Sequence, residues 1–193
     1  WPGTWHSSLG LIHILRGDLE EAHSHVHSLH EWVEHYLRAS RDHSFEYRSC
    51  MNASDCAVQP LFSLSKKSPK SAARYFSRWK TWFSFKVASQ LYHYMAFALE
   101  DGIVSKKDIS VFIKELNNVG AIVATLHFYK LTKSEKILLT KRLAKLLKSE
   151  KVDFPDTLTT DKNFLLQKEL NQGGYDEAVA VMRNLLSELA SKI

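Results

Sequence analysis

Apolar residues recur every three or four positions through Leu19, Ala22, Val26, Leu29, Val33, Tyr36 and Leu37. That rhythm gathers them on one face of a helix. Asp18, with Glu21 three places on, forms a capping box, so the pattern predicts a helix from Leu19 to about Ser40. Upstream, the apolar stretch Leu9 to Leu15 stops at Arg16-Gly17, which predicts a first helix from about Ser8 to Arg16. Gly17 supplies the left-handed residue that closes it. Two helices joined by so short a turn form an antiparallel hairpin.

Arg41 to about Ser68 reads as a long connection holding Pro60 and the run Ser63-Leu64-Ser65-Lys66-Lys67-Ser68. Within it, Ala57-Val58-Gln59-Pro60-Leu61-Phe62 is expected to supply a brief packed turn. Ser68-Pro69 is a helix start, and Ala72, Phe76, Trp79, Phe83, Ala88, Leu91, Met95 and Leu99 mark one long stripe ending at Asp101-Gly102. Ser105 with Asp108 caps the next helix, through Ile109, Phe112, Ile113 and Leu116, and Asn117-Asn118 breaks it. Val119 to Tyr129 is apolar nearly all round and predicts a buried central helix. Thr132 with Glu135 opens a basic amphipathic helix ending near Lys151. After the turn at Phe154-Pro155-Asp156, a last pair is expected at about Asp161–Gln172 and Tyr175–Ser191, hinged at Gly173-Gly174. No period-two strand pattern occurs. The prediction is an all-α fold of seven or eight helices in antiparallel hairpins, an irregular bundle or a short α-solenoid. It is one domain over 1–193, divisible into a hairpin (1–40), a loop (41–68), a central bundle (69–152) and a C-terminal hairpin (157–193).

Two of these hinges resemble the middle of a tetratricopeptide repeat, where one helix ends in glycine and the next opens with an acidic turn and a small alanine. In the segment 9–29 the matching residues are Leu9, Gly10, Gly17, Asp18, Glu21 and Ala22. In 165–186 they are Gly173, Tyr175, Glu177 and Ala178. The resemblance implies stacked helical hairpins that bind protein partners. The chain departs from the family in lacking a continuous repeat between the two copies, in having no closing proline after Leu29, and in placing His13 where an aromatic belongs.

Composition agrees with a globular helical chain: 193 residues, 45% hydrophobic and 24% charged, with only 7 Gly and 4 Pro. No apolar run is long enough for a transmembrane segment. Trp1-Pro2-Gly3-Thr4-Trp5 does not read as a signal peptide, and without an initiator Met the chain is expected to be a processed form or a segment of something longer. The net charge of +5 allows an acidic partner without demanding one. Cys50 and Cys56 are close enough to close a small disulfide loop, and Asn52-Ala53-Ser54 between them is an N-glycosylation acceptor. Both features suit a secreted helical effector or signalling protein. A lumenal or secreted setting and a cytoplasmic one therefore both stay open.

Candidate chemistry concentrates in two places. Seven of the ten histidines precede Tyr36, and His23, His27, His30 and Glu34 fall in one sector of the second helix. His23 and His27, one turn apart, can share a metal ion. Glu20-x-x-His23 and His27-x-x-x-Glu31 resemble fragments of di-iron carboxylate and hemerythrin motifs. Those sites need matching ligands from other helices, and the distant helices offer only His93 and His127. A polar helix shoulder is therefore the expectation, with no cofactor. Arg38-Ala39-Ser40-Arg41-Asp42-His43 has the spacing of HEPN-type ribonucleases, a resemblance that implies RNA phosphate chemistry by Arg38 and His43. No phosphate-cradling glycine loop and no nucleophile motif accompany it. The second place is the aromatic-basic stretch holding Arg74, Arg78, Trp79, Trp82, Phe85 and Lys86, with more aromatic residues than one buried face needs. These residues are expected to anchor a protein partner. The leading functional expectation is a non-enzymatic protein–protein interaction module, ahead of nucleic-acid binding.

Overall fold

Gly17, at φ +80°, ends the first helix, α1 (Pro2–Arg16). The N–H of Asp18 returns to the carbonyl of His13 at 2.9 Å, closing the turn into α2 (Leu19–Asp42). This computed structural model describes residues 2–42, 53–79 and 81–149. Among the described residues the chain forms eight helices and no strand. The other six are α3 (Ala53–Ser65), α4 (Pro69–Ser77), α5 (Thr81–Glu100), α6 (Lys106–Glu115), α7 (Val119–Phe128) and α8 (Lys133–Ser149). None of these is long and apolar enough to cross a membrane. The helices expected beyond residue 156, including the hairpin at 165–186, lie outside the described residues.

The caps expected at Ser105 and at Thr132 with Glu135 are present, Ser68 makes no side-chain capping bond, and Asn118, expected only to break the preceding helix, caps the next one. Ser105 Oγ accepts from the Asp108 N–H at 3.1 Å at the start of α6. The Asn118 side chain accepts from the Ala121 N–H at 3.1 Å at the start of α7. The Thr132 N–H donates to Glu135 at 2.9 Å, and the Glu135 N–H donates back to the Thr132 hydroxyl at 3.3 Å. That is a reciprocal capping box. Glu135 is 6% exposed. Burial pushes its carboxyl up, but hydrogen bonds from Ser110 and Thr132 outweigh this and leave it below the ordinary value.

Two expectations are corrected. The stretch 41–68 is not a loop throughout, because residues 53–65 form α3, the helix around which the bundle is built. It packs against α1, α2, α4, α5 and α6, and Ala57, Val58, Leu61 and Leu64 are at most 1% exposed. Pro60 inside it lacks the N–H for one helical bond. Burial on nearly every side overrides that local cost, because tertiary packing, not propensity, supplies most helix stability. The helix closes with Lys67 in the left-handed region at φ 57°. The Lys67 side chain then reaches the Ile103 carbonyl at 3.0 Å and Asp108 at 3.6 Å.

The long stripe from Pro69 to Leu99 is two helices. α4 stops at Ser77 and α5 starts at Thr81. The break brings α4 against α6 and α5 against α7, which one straight rod would not do. Phe76, fully buried, stacks on Phe112 with ring centroids 6.0 Å apart and meets Tyr92 edge-on at 6.4 Å. Val119 to Thr125 are all buried, so α7 is the internal helix its composition predicts. A buried relay fastens it to α5. The Thr125 hydroxyl donates to the Ala121 carbonyl at 2.7 Å, so the phenol of Tyr92 donates to Thr125 at 2.6 Å.

Gly10 permits a close approach in the bundle's N-terminal half. A Cβ there would stand 3.2 Å from Val26 Cγ2 and 3.6 Å from Val58 Cγ1, so α1 rests almost directly on α2 and α3. Nearby, the buried Ser7 hydroxyl donates to Asp55 at 2.5 Å, joining α1 to α3.

Candidate functional site

Side chains from α2, α3 and α4 enclose an open cleft of about 300 Å³. From α2 come His23, Val26, His27 and His30, at the three-four spacing that keeps them on one helical flank. From α3 and the turn after it come Gln59, Phe62, Ser63 and Lys66, and from the start of α4 come Ser68, Ser71 and Tyr75. The wall therefore carries a lysine, three imidazoles, four hydroxyls and an amide, and no carboxylate. The Glu31 carboxylate stands 3.6 Å from His27 Nε2, and the Glu34 carboxylate 4.0 Å from His30 Nδ1. Lys66 lies over the Phe62 ring, 6.0 Å from its centroid.

A polar chain beneath the cleft fixes its geometry. Arg78, at the end of α4, donates to Glu34 at 2.5 Å and to the Gln59 carbonyl oxygen at 2.6 Å. With that oxygen committed, the Gln59 amide nitrogen, 3.3 Å from His30 Nδ1, is the donor and the imidazole the acceptor. A neutral His30 then carries its proton on Nε2, which leaves that ring nitrogen a donor. The guanidinium also covers the rings of Tyr75, at 5.3 Å, and Trp79, at 4.9 Å. Burial pushes the Arg78 pKa down, and the Glu34 carboxylate opposes that shift.

This placement corrects the expected anchoring patch. Trp79 is 4% exposed and belongs to the core, while Arg78 is spent on Glu34 and Gln59. Neither is a free surface anchor. Arg74 is exposed beside Tyr75, with its guanidinium 5.8 Å from that ring. Lys86 is half-buried, and burial lowers its pKa. The side chains of Trp82 and Phe85 lie outside the described residues. Cys56 is a buried thiol inside α3, pushed well above its ordinary value by burial and by Asp55. It is not on a surface loop, while Cys50 and Asn52 lie outside the described residues. Arg38 is exposed and donates to the Glu34 carbonyl at 3.3 Å. His43, its expected partner, also lies outside them.

His23 and His27 stand side by side, rings parallel and centroids 6.1 Å apart. Among the described residues no three His, Cys, Asp or Glu side chains gather as a metal site. Sequence reasoning found the α2 imidazoles but missed Gln59, Phe62, Ser63, Lys66, Ser68, Ser71 and Tyr75, which face them. The apolar positions 57, 58, 61 and 64, spaced as one helical face, were the signal that could have brought α3 into view.

A second histidine group sits between α1 and α2. His6 Nδ1 is 3.2 Å from His25 Nδ1, and His13 stacks on His25 at 5.7 Å. Asp18 stands 3.7 Å from His13, and Glu21 also acts on His25. Burial first, then His6 and His13, lower the His25 pKa below 6.5, and Glu21 opposes them. The unfolded chain therefore binds a proton at His25 before the folded one does. Stability from this group is complete above that pH and declines as pH falls through the lowered value. Urea midpoints measured between about pH 7.5 and about pH 5 should fall, and His25→Gln should flatten part of that slope. Asp55 acts in the opposite sense. Burial raises its carboxyl, with the Ser7 hydrogen bond opposing, so its share of stability is lost as pH rises.

Comparison of the chain with protein-family models, with curated proteins and with solved structures gives no match.

Proposed function

We propose that this chain is a non-enzymatic protein-binding module that receives an acidic segment of its partner in the cleft between α2, α3 and α4. One observation carries the reading: a polar wall with Lys66 at its edge, imidazoles and hydroxyls along it, and no carboxylate among its lining residues. Such a surface favours a negatively charged visitor. Val26 and Phe62 supply apolar contact for the flank of a peptide. The reading keeps the protein-partner function expected from the helical hairpins but moves its site from Trp79 and Trp82 to the histidine flank of α2.

The test is the binding of a short labelled glutamate-rich peptide against its lysine-rich counterpart, followed by fluorescence anisotropy. The glutamate-rich peptide should bind and should weaken as salt is raised. Lys66→Ala should reduce its affinity several-fold, as expected for loss of a charge-assisted contact. Equal binding of both peptides, or a preference for the lysine-rich one, would remove the proposal.

A further inference from the structure

The kind of donor in the cleft narrows its ligand further, an argument that rests on the acidic-segment reading above. A guanidinium fork, two parallel N–H groups in one plane, meets two oxygens of a carboxylate or of a phosphate alike, and a planar carboxylate has only those two oxygens to offer. The fork at this site is committed, since Arg78 serves Glu34 at 2.5 Å and Gln59 at 2.6 Å. What the cleft offers instead are single-point donors on separate walls. His27 and His30 come from α2, Lys66 from the turn after α3, and Ser71 and Tyr75 from α4. The Ser68 hydroxyl donates to Ser71 Oγ at 3.1 Å and makes no capping bond to the backbone of α4. His30 adds its Nε2–H, oriented from behind by Gln59 and Arg78.

Donors carried on three elements around one cleft suit a tetrahedral group with three terminal oxygens. Its charge of about −1.5 to −2 exceeds that of any carboxylate side chain. The cleft takes one such group, whereas a nucleic-acid strand needs cations tracking successive phosphates and a platform for its bases. We infer that the cleft between α2, α3 and α4 binds a phosphorylated serine or threonine side chain of a partner protein.

The test uses the full chain and three short peptides identical except at one central position, which carries phosphoserine, glutamate or serine. The phosphoserine peptide should bind about tenfold or more tighter than the glutamate one, reflecting its extra charge and acceptor oxygens. The serine peptide should bind weakest, and inorganic phosphate should compete. Lys66→Ala and His30→Gln should each cut phosphoserine affinity, with circular dichroism unchanged, and Lys141→Ala on α8 should leave it intact. If glutamate binds as tightly as phosphoserine, the phosphoryl inference falls and the acidic cleft stands. If none of the three binds, both fall. Phosphoserine binding that ignores Lys66→Ala and His30→Gln places the ligand elsewhere and overturns the inference. So does a single-stranded oligonucleotide that outcompetes the peptide.

Discussion

Phe76→Ala is expected to remove about 3–5 kcal/mol of folding stability. The ring is fully buried where α4, α5 and α6 meet, stacked on Phe112 at 6.0 Å and touched edge-on by Tyr92 at 6.4 Å. Alanine would leave a void among helix backbones, which close around it only in part. The loss combines the transfer energy of the ring with that cavity, and it forfeits two aromatic contacts worth about 0.5–1.5 kcal/mol each. Domains of this size are held by about 5–15 kcal/mol in all, so the variant should sit near the edge of folding at room temperature. The check is the urea midpoint, with the slope of the transition unchanged. Phe76→Leu, which fills most of the space, should lose distinctly less. A loss below about 1 kcal/mol for the alanine variant would mean that this junction is not the packed centre described above.

The helical character of that junction was legible in the sequence, although its assembly was not. Capping residues act through their nearest neighbours, so Ser105 and the Thr132–Glu135 pair could be read directly, and Asn118 at least as a helix boundary. Gly17 was legible for the same reason, since a helix end of this type needs positive φ. The break before Thr81 was not. No glycine or proline marks it, and the three-four spacing of Phe76, Trp79 and Phe83 runs across it. What divides α4 from α5 is the requirement that the two halves reach different partners, α6 and α7, and that requirement exists only once those helices are in place. α3 was obscured in the opposite way. Pro60 and the nearby serines and lysines carry the local signature of a loop, while the packing that overrules them comes from five other helices.

The candidate site was half legible for the same physical reason. His23, His27 and His30 share a flank because of helical geometry alone, and that was visible. Their counterparts on α3 and α4 depend on α3 existing. Aromatic abundance misled for Trp79. Trp79, in the turn between α4 and α5, is 4% exposed, so its ring serves the core although α5 keeps an exposed face that includes Phe97.

Arg78→Ala is expected to cost about 2–3 kcal/mol, below the range for a fully buried ion pair because the Glu34 side chain is 34% exposed and can recover water. The loss has three sources. Gln59, 2% exposed, loses the donor to its carbonyl oxygen, Glu34 loses its countercharge, and the Trp79 ring loses the guanidinium at 4.9 Å. Arg78→Met, which keeps the stem, should restore packing over Trp79 but not the Gln59 bond, so its loss should fall between the two. A double-mutant cycle with Glu34→Gln would isolate the charge pair. The same substitution has a second consequence that a purely structural role would not bring. Arg78 is not among the residues lining the cleft, yet it fixes Gln59, and Gln59 fixes the tautomer of His30. With Arg78 gone, the amide can turn over and the imidazole can present an acceptor where it had presented a donor. Arg78→Met should therefore weaken phosphoserine-peptide binding several-fold while the fold persists, and nitrogen NMR of His30 should report a shift in its tautomer population. Unchanged His30 signals together with unchanged affinity would confine Arg78 to holding the helices together.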